Sequence, residues 1–252
     1  MARTDPPLYM QVAEALRERI RTGDLAPGDL LPTERDLAAQ RKISRATAVR
    51  ALEMLVSEGL VTTGNTRAGR RVRDLRILPV HASQTERVER RRAAGVDAWV
   101  ADTRDAGRAP GQTIDVGVVT ADAEIAAALQ VAEGEPVAVR RRLRTLDGEP
   151  SNTAHTYYPM AIADGFPAIL NPTDVRPGVI AMMAEGGYVL THFVDRLRWR
   201  PPTPEEAQTL RIGQGTAVLI QTRVGYIEER PVHLTRTTWP GDTIELVYEL
   251  PA

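Results

Sequence analysis

Residues 33–73, TERDLAAQRKISRATAVRALEMLVSEGLVTTGNTRAGRRVR, decide the fold of the N-terminal part of the chain. Thr33 is a helix cap, with Asp36 three residues later in a capping-box position. Gln40 to Ile43 read as a turn, and Ser44 caps a second, longer helix. Ala48, Leu52, Leu55 and Val56 form the apolar stripe of that helix, and Gly59 ends it. Leu60-Val61 and Val72 read as short strands on either side of a basic hairpin marked by Gly64 and Gly69. Upstream, Tyr9, Val12, Ala13, Leu16 and Ile20 recur at helical spacing until Thr22-Gly23. Helix, turn, helix and hairpin in this order predict a winged helix-turn-helix, whose second helix enters the major groove of DNA.

The charges sit where such a module needs them. A helix N-terminus offers free backbone N–H groups and a partial positive charge to phosphate, which makes Ser44 part of the expected interface. Arg45, the residue after the cap, is placed to reach a guanine edge or a phosphate. Thr47 and Arg50 project from the outward side of the same helix. Arg35 is placed for a backbone phosphate; Gly69 marks the hairpin turn, and Arg67, Arg70 and Arg71 give the hairpin a charge suited to the minor groove or the sugar-phosphate rail. The competing reading is a small helical protein-protein module with ordinary surface arginines.

Composition narrows the rest. Up to Arg76 there are 14 lysines and arginines against 10 acidic residues, a net of +4, while the remainder is net −5. A basic module joined to an acidic one suits a nucleic-acid partner for the first and another partner for the second. The chain has no cysteine, which excludes disulfides, thiolate metal sites and a cysteine nucleophile. Lys42 is the only lysine and lies beside the expected recognition helix, which argues against a Schiff-base cofactor. His81, His155, His192 and His233 are scattered and fit no metal-ligand spacing. No cofactor or metal is expected. The N-terminus has no apolar signal core, and no segment approaches the roughly 20 apolar residues of a membrane span, so a cytoplasmic protein is expected.

The expected organisation is a winged helix-turn-helix over 1–76, a linker over 77–95 and a second domain over 96–252. The second domain alternates strands with short helices. Ile114, Val116 and Val118 alternate, and Thr120 is expected to cap a short helix to Leu129. Val137–Leu146 and Asn152–Tyr158 flank Asp147-Gly148, a strong hairpin signal. Gly178–Glu185 reads as a short helix and Val189–Trp199 as a strand. Thr203, Pro204 and Glu206 form a full helix-start signal. Strands are expected at Ala217–Tyr226, Pro231–Thr238 and Thr243–Leu250.

Two resemblances extend this reading. PLYMQVAEALRERIRTGDLAPGDLLPTERDLA followed by SRATAVRALEMLVSEGLV resembles the DNA-binding domain of the GntR family of bacterial transcription regulators. The likeness implies base or phosphate contacts from Arg35, Arg45 and Thr47 and a wing turn at Gly69. Val49 stands where that family usually has arginine, and Arg67-Ala68-Gly69-Arg70 replaces its Gly-Arg-Gly-Thr wing. The second domain resembles the UTRA effector-binding domain of the HutC branch, through Arg142-Leu143-Arg144, Asp147-Gly148-Glu149-Pro150, Tyr157-Tyr158-Pro159, Pro204-Glu205-Glu206-Ala207, Pro240-Gly241-Asp242 and Tyr248. It implies an α+β protein: a winged helix-turn-helix joined to a mixed α/β sheet domain related to the chorismate lyase fold. A small-molecule pocket and a homodimer interface are implied with it.

Arg142 and Arg144 lie two apart on a strand and share one face, which suits a clamp for a carboxylate or phosphate; the other reading is a solvated strand edge. His155, Thr156, Tyr157 and Tyr226 are the further candidate effector-binding residues, and Trp199 and Trp239 would line such a pocket or fill space. The expected function is a ligand-responsive regulator, a dimeric repressor released from an inverted-repeat operator on double-stranded DNA by a small anionic metabolite. The alternatives are a lyase-like enzyme fused to a DNA-binding module, and a constitutive DNA-binding protein whose second domain only dimerises.

Overall fold

A computed structural model describes residues 5–64, 69–84, 98–176 and 178–250. The chain forms two compact units. One takes in Met1–Arg76, Arg200–Ala217 and Gly241–Thr243, and the other Ile77–Trp199, Val218–Pro240 and Ile244–Ala252.

In the first unit α1 (Leu8–Arg21), α2 (Glu34–Arg41) and α3 (Arg45–Ser57) pack their apolar stripes together. Leu16, Leu37, Leu52 and Leu55 are all at most 1% exposed, so a single small core holds the three helices. The caps fall where the sequence places them. Thr33 accepts the Asp36 N–H and Ser44 accepts the Thr47 N–H. Between the helices the chain turns at Lys42, which takes the left-handed conformation (φ 54°) rather than a glycine. Among the described residues, two antiparallel bridges are formed here, Val61 with Val72 and Leu30 with Arg71. The short helix α8 (Pro204–Leu210) belongs to the same unit and starts on a complete capping box, with Thr203 and Glu206 bonding reciprocally.

The second unit is built on a six-stranded sheet. In chain order its strands are β2 (Pro110–Thr120), β3 (Pro136–Leu146), β4 (Glu149–Pro159), β5 (His192–Arg200), β6 (Val218–Ile227) and β7 (Arg230–Pro240). Their spatial order is β2-β3-β4-β7-β6-β5. The β3–β4 hairpin turns at Asp147 and Gly148, both with positive φ (52° and 86°), as a tight two-residue turn requires. One face of the sheet packs on α5 (Ala123–Leu129), around Val137, Val139, Tyr157, Val224 and Leu234. The opposite face packs on α6 (Met160–Gly165), a 3-10 turn (Pro167–Leu170) and α7 (Val179–Glu185), around Ala138, Tyr158 and Val232. A separate parallel pair joins β1 (Leu78–His81) to β8 (Ile244–Val247).

Several expectations need correction. Residues 78–81 are a paired strand rather than linker; the remainder of the expected linker from residue 85 lies outside the described residues. The cap of α5 is Asp122, two residues after Thr120, because its carboxylate accepts the Ile125 N–H. The last strand covers only Ile244–Val247. Helices α4 (Ala98–Asp105) and α6 are additions that the sequence reading did not anticipate.

Candidate functional site

The first unit presents a basic face at the start of α3. Its organiser is Glu34, in the first turn of α2. Arg70 donates to one Glu34 oxygen at 3.0 Å and Arg45 to the other at 3.2 Å. Those hydrogen bonds, Arg70's first, hold the Glu34 carboxyl below its ordinary range. One carboxylate therefore draws together an arginine of the recognition helix and an arginine of the wing. Arg45 is 77% exposed in its side chain, so its contact with Glu34 is a weak, solvent-screened one. Arg35 is 92% exposed, and its nearest carboxylate, Asp36, is 3.9 Å away.

The remaining expected contacts are engaged locally. The Thr47 hydroxyl lies 2.8 Å from Ser44 Oγ, completing the cap. Arg50 stacks its guanidinium over the Tyr9 ring at 4.2 Å, which ties α3 to α1. Gly69 adopts φ +67°, and a Cβ there would crowd Leu30. Arg67 lies outside the described residues.

The second unit contains a cavity of about 90 Å³. Cross-strand register explains its lining. Arg140 pairs with Thr156, Thr156 with Thr235 and Thr235 with Arg223, forming one row across four strands. Arg142, Ala154, Thr237 and Gln221 form the next row. All of these residues point to the same face, and all but Arg140 line the cavity, together with Arg144 and Trp239. Trp99 and Asp102 of α4, with Asp174, Val175 and Gly178 to Ile180, contribute further parts of the wall.

The cavity wall carries three arginines, Arg142, Arg144 and Arg223, two carboxylates, Asp102 and Asp174, and several hydroxyls. Arg142 donates to Thr156 Oγ1 at 3.3 Å, and Thr235 donates to the same oxygen at 3.1 Å. Arg144 lies 4.9 Å from the centre of the Trp99 ring, a cation-π contact. Arg140, 1% exposed, donates to the carbonyls of Ile169, Asn171 and Thr173 at 2.7, 2.6 and 2.9 Å. Burial first, and then the neighbouring charge of Arg142, push its pKa down. It anchors the chain that leads to Asp174 in the cavity wall.

Arg223 is neutralised from behind the cavity. Its Nε and Nη2 reach the two Asp195 oxygens at 2.7 and 2.6 Å, and Nη2 also donates to the Ala82 carbonyl at 2.6 Å. Gln221 and Tyr248 donate to the same carboxylate at 2.9 and 2.7 Å. Burial opposes the charge of Asp195, but the hydrogen bonds and charge of Arg223, with those of Tyr248 and Gln221, hold its pKa below the ordinary value. Tyr248 is pushed up to about 12, by burial first and then by Asp195.

Of the six residues expected to bind an effector, Arg142, Arg144 and Thr156 line this cavity. His155, Tyr157 and Tyr226 do not. Successive strand residues alternate faces, so His155 and Tyr157 cannot share the side of Thr156. Tyr157 is buried in the core under α5, and Tyr226 packs at the edge of that core with its ring stacked on His192 at 4.8 Å. Trp239 lines the cavity, whereas Trp199 is 60% exposed on β5. The sequence reading missed Gln221, Arg223, Thr235 and Thr237. Their signal was present in the period-two spacing of Thr235, Thr237 and Trp239, and of Gln221 and Arg223.

Both units have counterparts among known proteins. The gntR family of bacterial regulatory proteins matches residues 8–71, and the UTRA domain matches residues 106–245. The chain belongs to the GntR family, in its UTRA-bearing form. It is 32% identical over 247 residues to an HTH-type transcriptional regulator of Streptomyces coelicolor, covering 95% of this chain and 86% of that one. It is 26% identical over 247 residues to the HTH-type transcriptional repressor NagR of Bacillus subtilis, covering 96% and 94%. The crystal structure of PhnF from Mycobacterium smegmatis shares the fold, with a TM-score of 0.56 at 24% identity over 96% of this chain and 99% of that one. GntR proteins are DNA-binding transcription regulators, which sets aside the lyase-like alternative. Among the described residues no helix is long and apolar enough to cross a membrane, and no group of His, Cys, Asp or Glu is arranged to hold a metal ion.

Proposed function

We propose that this GntR regulator is a dimeric repressor that leaves an inverted-repeat operator when a small anionic metabolite enters the cavity of the sheet unit. One observation carries the ligand class. Arg142 faces the cavity with Thr156 as its hydrogen-bond partner and, among the described residues, no carboxylate partner. An arginine facing a cavity with no ion pair of its own is suited to an anionic group on a ligand. Arg144, Thr235 and Thr237 supply further donors beside it. The cavity, about 90 Å³, suits a ligand that presents an anionic group such as a phosphate or carboxylate. The repressor reading draws on the named activity of NagR.

The DNA reading places Arg45 and Arg35 on phosphate or base edges and Arg70 on the sugar-phosphate rail, with Ser44 and Thr47 presenting the α3 N-terminus. Release requires that the ligand favour the DNA-incompetent state, by as much free energy as the affinity falls. Twofold symmetry would set two half-sites about one helical turn apart, roughly 34–36 Å.

Thermal shift against phosphorylated sugars, amino-acid derivatives and organic acids tests the cavity. A ligand at a hundredfold excess over its Kd stabilises the folded state by about 2.7 kcal/mol. The shift is expected to disappear in Arg142→Ala while binding to the protein's own promoter DNA persists. An equal shift in parent and variant would remove Arg142 from the ligand site. Sedimentation of the free protein as a monomer would remove the dimer.

A further inference from the structure

The family match to the DNA-binding domain stops at residue 71, yet the compact unit holding α1–α3 also takes in Arg200–Ala217 and Gly241–Thr243. The first segment is the excursion between β5 and β6, and the second is the turn after β7. Three features tie them to the end of α3. The Arg73 side chain, 6% exposed, places Nη1 and Nη2 on the two Asp242 oxygens at 2.6 and 2.8 Å. Its Nη1 also donates to the carbonyl of Gly59 at 2.7 Å, the residue at which the chain leaves α3 with positive φ. The Thr63 N–H, at the base of the wing, donates to the Arg211 carbonyl at 3.1 Å. Finally, the backbone of Gly213 and Gly215 runs so close to the last turn of α3 that a Cβ at either would overlap the carbonyl oxygens of Val56 and Ser57.

A helix C-terminus leaves carbonyls without intrahelical partners, and its exit residue is where the following chain can swing. Here the exit is held on one side by a buried bidentate arginine and on the other by glycine backbone. Leu210 and Ile212, at 3% and 1% exposure, seat the excursion. We infer that Arg73, Asp242 and the Gly213–Gly215 turn form a clamp that fixes the recognition helix against the wing in the geometry that reads DNA. Arg73 and Asp242 are positioning residues: a side chain 6% exposed is not available to a phosphate. The clamp is also continuous with the cavity strands. β6 begins at Val218, directly after the excursion, and carries Gln221 and Arg223; β7 carries Thr235, Thr237 and Trp239 and ends at Pro240, two residues before Asp242.

The inference rests on the DNA-binding reading of α3, and the test separates the two. The full-length protein is used with a duplex that the wild type selects from a random-sequence library. Asp242→Asn is expected to weaken binding at least tenfold, with the slope of log affinity against log salt unchanged, and Asp242→Glu to recover most of the loss. Arg35→Ala, at an exposed position, is expected to make that slope shallower instead. Amide exchange on the wild type needs no variant: the Thr63 N–H should exchange as slowly as amides of the α1–α3 core. Binding of folded Asp242→Asn within twofold of wild type overturns the clamp. So does a loss accompanied by a shallower slope, which would make the pair a direct DNA contact, and so does rapid exchange at Thr63. If the wild type selects no duplex, the DNA-binding reading and the clamp fall together.

Discussion

Replacing Asp195 by asparagine probes the charge balance of the cavity wall. The carboxylate accepts four side-chain hydrogen bonds: two from Arg223, one from Gln221 and one from Tyr248. The paired side chains of Arg223 and Asp195 are only 5% and 12% exposed. An asparagine side chain would keep the shape and one acceptor oxygen, but would leave the Arg223 guanidinium buried without its counter-charge. Breaking a buried pair by removing one partner costs about 3–5 kcal/mol. The retained oxygen puts the expectation near the lower end, roughly 3 kcal/mol, which lowers the melting temperature of the sheet unit by about 6–12 °C.

The pH dependence makes this specific. The folded pKa of Asp195 is depressed below its ordinary 3.8, so its contribution is fully present above that value and is lost as pH falls through the folded one. The gap between parent and Asp195→Asn should therefore be constant through neutral pH and close on acidification below about 4. Differential scanning calorimetry at stepped pH measures it. A variant that melts with the parent at neutral pH would show that the pair contributes nothing. A gap equally wide in acid would show that the loss comes from packing rather than charge.

Three further outcomes are expected. Arg45→Ala should weaken operator binding by ~1–3 kcal/mol if Arg45 reads a base edge, measured by fluorescence anisotropy at fixed salt; an unchanged curve would take it out of the interface. Thr203→Ala removes the capping box of α8 and should destabilise the first unit by roughly 0.5–2 kcal/mol in urea denaturation; no change would mean that Arg200, which grips Glu206 at 2.7 and 2.8 Å, holds the helix start by itself. Tyr248 keeps its proton up to about 12 in the folded chain against an ordinary 10.0, so its contribution is complete below pH 10 and is lost as pH rises toward 12. In Tyr248→Phe the alkaline fall in melting temperature should be shallower than in the parent, and an identical fall would assign it to other groups.

The parts of this protein that were legible in its sequence are those fixed by local chemistry. Thr33, Ser44 and Thr203 cap helices because a short hydroxyl side chain bonds the free N–H three residues on, and nothing distant is needed to decide it. Asp147-Gly148 fixes the β3–β4 hairpin in the same way. The reading failed where a partner from elsewhere decides the outcome. Residues 78–81 look like linker because their pairing partner, β8, lies at the far end of the chain, from Ile244 to Val247. Helix α4 has too short an apolar pattern to declare itself; its Trp99 is buried on the Arg144 side of the cavity.

The cavity shows the same division within a single strand. The choice of Arg142 and Arg144 as a pair followed from period-two geometry, and that geometry brings both to one wall. Adding both Thr156 and Tyr157 broke the same rule, since adjacent strand residues face opposite ways. Once Thr156 is on the face of Arg142, which donates to its hydroxyl, parity alone removes His155 and Tyr157. Carried across the register, it admits Thr235 and Thr237 on β7, then Arg223 and Gln221 on β6. What parity cannot provide is charge. Three arginines share this wall, but Asp195 already neutralises Arg223, whereas Arg142 holds, among the described residues, only the Thr156 hydroxyl. The two arginines thus have different parts. Arg223 secures β6 to β5 and to the carbonyl after β1, and Arg142 is the residue to which the proposed function assigns the anion.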